Sequence, residues 1–99
     1  MALRLDWSPE AVEDLESIAS YIERDSAWYA KAVISKIVET AETIADFPEL
    51  GRAVPEVGDP AVRERLVYNY RLIYRLESER VLVAAVIHGS RLLDQLTRR

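Results

Sequence analysis

The sequence predicts an α+β fold: an N-terminal strand, then an antiparallel helical hairpin packed on a mainly antiparallel four-stranded sheet. Three observations carry this reading. Residues 63–91 hold a run that alternates from Tyr70 to Leu76 and one that is apolar from Val81 to Ile87, with turn residues between the runs, as successive hairpin-linked strands do. Residues 9–45 instead place apolar side chains at helical spacing, in two runs separated by a short link. Ahead of both, Leu3, Leu5 and Trp7 alternate with Arg4 and Asp6, which describes a short strand with one apolar face.

Each element has its own punctuation. Ser8-Pro9-Glu10 opens the first helix, with Ser8 as N-cap, Pro9 at the first helical position and Glu10 near the positive end of the dipole. Ala11, Leu15, Ile18 and Ile22 form its apolar stripe, and the helix is expected over about residues 9–24. Ser26 caps a second helix over about residues 27–45, whose stripe is Ala30, Val33, Ile34, Ile37, Ala41 and Ile44. Trp28 and Tyr29, in its first turn, are expected to pack within the hairpin. Pro48 disfavours helix at Phe47 and stops the run, and Ala53 to Pro60 reads as an irregular connection.

The three strands that follow can be given faces. From Tyr70 to Leu76 the even positions are Tyr70, Leu72, Tyr74 and Leu76, and the odd ones are Arg71, Ile73 and Arg75. Core packing is therefore expected for Tyr70 and Tyr74. Val81 to Ile87 is apolar throughout, as in a strand covered on most of both faces. A turn at Ser78-Glu79 sets Leu76 opposite Val81, Arg71 opposite Val86 and His88 opposite Asn69, on the arginine face. With Tyr68-Asn69-Tyr70 as the preceding turn, Arg63 and Arg65 join that face. One sheet face would then carry four arginines and the chain's single histidine.

Composition narrows the classes of function. At 99 residues, 49% hydrophobic and 30% charged, the chain is expected to be one globular domain, with residues 90–99 as a tail or a last helical turn. It has no cysteine, so no disulfide framework and no thiolate metal site, and no spacing of other metal ligands or cofactor-binding motif appears. No secretory leader and no apolar run near the ~20 residues needed to span a bilayer is present, which makes the cytoplasm the expected location. Net charge is −4, against broad nucleic-acid binding. It is unevenly spread: −7 over residues 1–50 and +3 over residues 51–99, where every cation is arginine.

The motifs resemble, in order, those of the RelE/ParE superfamily of toxins from bacterial type II toxin–antitoxin systems, most of all its ParE-like branch. The matching residues are Trp7-Ser8-Pro9, Asp14-Leu15 with Ile18 and Tyr21-Ile22, and Phe47-Pro48 with Leu50-Gly51-Arg52. They continue with Val54-Pro55-Glu56, Arg63-Glu64, Asn69-Tyr70-Arg71 with Ile73-Tyr74-Arg75, and His88-Gly89 with Arg91. The resemblance implies the same fold and a growth-inhibiting toxin held in a hetero-oligomer by a cognate antitoxin.

Two mechanisms occur in such a family. RelE-like members cut mRNA on the ribosome, and ParE-like members are associated with poisoning DNA gyrase. Metal-free RNA cleavage needs a base for the 2′-hydroxyl, an acid for the leaving oxygen and cations for the phosphorane. Glu56, His88 and the arginines Arg63, Arg65 and Arg71 are the candidates, with Arg65, His88 and Glu56 the catalytic set. In the family's nuclease members a tyrosine follows the histidine, whereas Gly89 follows His88, and the only lysines are Lys31 and Lys36. The expectation is therefore gyrase inhibition through Arg63, Arg71, Arg75, Arg91, Leu92, Leu93 and Leu96. Ribosome-dependent mRNA cleavage is the alternative, and a non-toxic interaction module the reading outside the toxin class.

Overall fold

The computed structural model describes residues 3–89. Strand β1 (Arg4–Trp7) leads into helices α1 (Pro9–Glu23) and α2 (Ala27–Asp46). Strands β2 (Arg52–Ala53), β3 (Val62–Val67), β4 (Tyr70–Leu76) and β5 (Arg80–His88) follow. They form a five-stranded mixed sheet in the order β1-β5-β4-β3-β2. The three C-terminal strands are antiparallel neighbours as expected, while β1 pairs in parallel with β5 at one edge. The fifth strand is the two-residue β2, within the stretch read from sequence as a helix stop and an irregular connection. Too short to show alternation, it is visible only through its pairing.

The helices begin where their caps say. Ser8 Oγ accepts from the Ala11 N–H at 3.1 Å, and Ser26 Oγ accepts from the Tyr29 N–H at 3.0 Å. Such caps contribute about 1 kcal/mol each. The stripe of α2 buries Ala30, Val33, Ile37, Ala41 and Ile44, while Ile34 is only partly covered. Val33, Ile37, Ala41 and Ile44 meet Val67, Leu72, Tyr74, Val81, Val83 and Val86 in the main core. Trp28 and Tyr29 depart from expectation. Trp28 is 77% exposed and Tyr29 45%, and the α1 and α2 residues in the main core are small or aliphatic.

The opposite sheet face carries a second, smaller core of Val54, Val62, Ile73, Ala85 and Ile87. The β2–β3 connection lies over it. Val54 is fully buried there, the N–H groups of Val57 and Gly58 donate back to its carbonyl, and Gly58 takes a left-handed φ of 72°. That backbone suits glycine, which has no Cβ to clash.

A bulge in β5 alters the expected register. Leu76 faces Val81 and Tyr74 faces Val83, but Ile73 faces Ala85, leaving Ala84 as the extra residue. Beyond it Arg71 faces Ile87 and Tyr70 faces His88, one residue away from the pairing expected from sequence. Helix α1 holds the bulge: Ser8 Oγ donates to the Ala84 carbonyl at 3.1 Å, and Asp14 accepts from the Val86 N–H at 2.9 Å. Two backbone groups that the ladder would leave unpaired thus find partners on the helix.

Candidate functional site

The β3–β4 turn determines which arginines share a face. Val67 pairs with Tyr70, so the loop is Tyr68-Asn69 alone and not three residues. That shortening by one residue moves every β3 side chain to the opposite face from the one expected. Glu64 pairs with Ile73 on the arginine face, while Arg63 and Arg65 pair with Tyr74 and Leu72 on the helix side. His88 likewise leaves the arginine face. The bulge sets it beside Tyr70, and their rings meet edge-on with centroids 5.6 Å apart. The expected face of four arginines and a histidine is therefore split across the sheet.

The expected arginine face holds an ion network. Glu64, 1% exposed, receives Arg71 through Nε and Nη2 at 2.6 Å and Arg52 at 2.7 Å. The outer side of the Arg71 guanidinium grips Glu56 through both nitrogens, at 3.0 and 3.1 Å. This fork-to-fork geometry is the strong form of an arginine–carboxylate pair. The Arg71 hydrogen bonds hold the Glu56 carboxyl below its ordinary range, and Glu56 raises Arg71 above its own. Burial of Glu64 is tolerable only because both its oxygens are met by guanidinium N–H groups.

The other arginines are also engaged. Arg75 contacts Asp59 at 3.3 Å, with both side chains nearly half exposed. Arg63 donates to the Gly51 carbonyl at 2.9 Å, and its Nε is buried with no partner among the described residues. Arg65 forms no ion pair among the described residues and lines a groove against Lys36, Glu39, Thr40 and Thr43 of α2. Arg91, Leu92, Leu93 and Leu96 lie outside the described residues.

The buried phenol of Tyr74 ties this site to the end of α2. It donates to the Pro48 carbonyl at 2.9 Å and accepts from the Gly51 N–H at 2.9 Å. Burial raises its pKa. Gly51 has no room for a side chain: a Cβ would meet the Tyr74 hydroxyl and come within 2.7 Å of the Glu64 carbonyl. The Leu50-Gly51-Arg52 turn is thus drawn onto β3, which carries Arg52 to Glu64.

A groove of about 620 Å³ opens between the β2–β3 connection, the β3–β4 turn and the end of β5. Arg52, Glu56, Arg71, Tyr68 and His88 are among its lining residues. It brings together three groups singled out from sequence, Glu56, Arg71 and His88, while Arg65 lines a separate groove. Sequence reasoning missed Glu64 and Arg52. The signal was present, since Glu64 is an acid inside a β-strand pattern between Val62 and Leu66, at the parity of both.

Comparison with known structures gives the same fold. The chromosomal ParDE toxin–antitoxin system from P. aeruginosa superposes with a TM-score of 0.73 at 19% identity, over 88% of this chain and 96% of that one. A mutant of the E. coli toxin RelE in the free state gives 0.71 at 16% identity, over 99% and 93%. The YoeB dimer from Staphylococcus aureus gives 0.65 at 20% identity, over 89% and 98%. A search of curated proteins finds no match. At such identities these likenesses speak to the fold alone. The assignment comes from the sequence: residues 5–93 match the model of the ParE toxin of type II toxin–antitoxin systems, and the chain belongs to that family.

Proposed function

We propose that this toxin inhibits growth in the cytoplasm by binding DNA gyrase and not by cutting RNA, and that a cognate antitoxin neutralises it. One observation carries the choice of mechanism: the expected cleavage set of Arg65, His88 and Glu56 is divided, with Arg65 lining a different groove from the one His88 and Glu56 share. Glu56, the candidate base, is committed to Arg71 by a bidentate ion pair that keeps its carboxyl ionised and occupied. Arg65 is on the other face of the sheet, and the His88 ring packs against Tyr70. A base, an acid and a phosphate-holding cation need a common point about 3 Å from each. With Arg63 and Arg71 turned to internal partners, Arg75 and Arg91, with Leu92, Leu93 and Leu96, remain the candidates for target contact. The antitoxin reading is supported by the family and by the ParDE system among the similar structures.

The second reading, ribosome-dependent mRNA cleavage, has its own support, since Glu56, Arg71 and His88 line one groove. Purified protein added in parallel to a gyrase supercoiling assay and a translating ribosome assay separates the two. The expected result is blocked supercoiling with intact mRNA. Cut mRNA with unaffected supercoiling overturns the proposal. Removal of residues 90–99 is expected to abolish inhibition.

A further inference from the structure

We infer that the tip of the β3–β4 hairpin is a docking ridge that grips an acidic segment of the toxin's target protein. Tyr68 and Leu66 would be its apolar anchors. This rests on the reading that the chain acts by binding a target, and it moves the main contact away from the arginine face.

The backbone provides the first observation. Tyr68 is the one non-glycine residue with positive φ among the described residues, at 54°, and it occupies the first position of a two-residue hairpin loop. Such a position favours glycine, and a bulky side chain there is strained. The strain is not repaid by burial. Tyr68 is 56% exposed, and its hydroxyl makes no hydrogen bond among the described residues. Leu66, two residues earlier, is 63% exposed although it sits in a strand. A strained backbone that displays an aromatic ring to solvent points to a contact outside the chain.

Charge supplies the second. Leu66 and Tyr68 line both the 260 Å³ groove against α2 and the 620 Å³ groove beyond the turn, so they form the ridge between them. The two grooves present Lys36, Arg65, Arg52 and Arg71 against only Glu39 and Glu56, in a chain whose net charge is −4. Glu56 is already bound to Arg71, whereas Lys36 and Arg65 have no ion-pair partner among the described residues. An apolar ridge with uncommitted cations on its flank complements an apolar side chain framed by carboxylates. A nucleic-acid strand fits less well. Two uncommitted cations are few beside the roughly 6–10 phosphate contacts of a typical binder, and both grooves hold a carboxylate.

The test uses the full chain with three substitutions. Tyr68→Asn removes the ring but suits a left-handed backbone, so its thermal midpoint should equal or exceed that of the wild type. Arg65→Glu reverses the flanking charge, and Tyr68→Phe keeps the ring. Supercoiling inhibition of gyrase holoenzyme should weaken at least tenfold for Tyr68→Asn and Arg65→Glu and persist for Tyr68→Phe. Growth inhibition on expression should follow the same order. Wild-type inhibition by Tyr68→Asn overturns the ridge. If the wild type leaves gyrase untouched, the gyrase reading fails and growth decides: a non-toxic Tyr68→Asn retains the ridge for another target, and a toxic one overturns it. A Tyr68→Asn variant that stays toxic but escapes the antitoxin would assign the ridge to the antitoxin. Loss of RNA or duplex binding in place of protein binding would assign it to nucleic acid. Both outcomes reject the inference.

Discussion

Replacing Arg71 by Met should destabilise this toxin by about 3 kcal/mol, and a second substitution should restore it. The Glu64 side chain is fully buried and that of Arg71 is 8% exposed, with 2.6 Å between Glu64 Oε1 and the guanidinium. Removing one partner of such a pair leaves an uncompensated buried charge, which costs about 3–5 kcal/mol. Arg52 remains on Glu64 at 2.7 Å, but its side chain is 66% exposed, where solvent screening weakens an ion pair. That places the expected loss near the lower end of the range. In a domain of this size it lowers the thermal midpoint by about 12–24 °C. Adding Glu64→Leu removes the stranded carboxylate, and burying an apolar pair in its place is often neutral. The double variant should return to within about 1 kcal/mol of wild type. Urea denaturation followed by circular dichroism measures both, provided the slope with denaturant is unchanged. An Arg71→Met loss below about 1 kcal/mol, or a double variant as unstable as the single one, would refute the claim that burial makes this pair interdependent.

Three further outcomes are expected. Gly51→Ala forces a Cβ against the Tyr74 hydroxyl and the Glu64 carbonyl and should cost about 2 kcal/mol or more, read from the denaturation midpoint. Asp14→Ala strands the Val86 N–H at the bulge and should cost about 1–3 kcal/mol, whereas Asp14→Asn keeps an acceptor and should cost less than half as much. A pH titration of stability should show the Glu56–Arg71 contact. The folded state depresses the Glu56 pKa below its ordinary 4.5, so its contribution is complete above that value and is lost as pH falls through the lower, folded pKa. Glu56→Gln should flatten the stability curve in that acid window and leave its slope near neutrality unchanged.

Much of the fold is written in local pattern. Ser8 and Ser26 start the helices at the expected residues, because capping involves only a side chain and the N–H groups three residues on. Pro48 ends α2 through a clash with its immediate neighbour. Tyr70, Leu72 and Tyr74 reach the core as their parity says, since alternation belongs to the strand alone. The family, too, is legible in the order of short motifs, with residues 5–93 matching as one stretch.

The site is different, because it depends on two counts of a single residue. A two-residue turn in place of three turns Arg63 and Arg65 to the helix side and brings Glu64 to Arg71. One extra residue, Ala84, turns His88 toward Tyr70. Val81 to Ile87 is apolar at every position, so it carries no parity from which a bulge might be read. Asp14 and Ser8 stabilise that bulge from α1, more than 70 positions away in the chain. Sequence alone determined the two helices and their caps, four of the five strands, the core-facing parity of β4 and the toxin family. Which charges face one another was decided by tertiary structure. In a β-sheet a one-residue slip exchanges the two faces, and the hydrogen bonds that select the register come from distant parts of the chain.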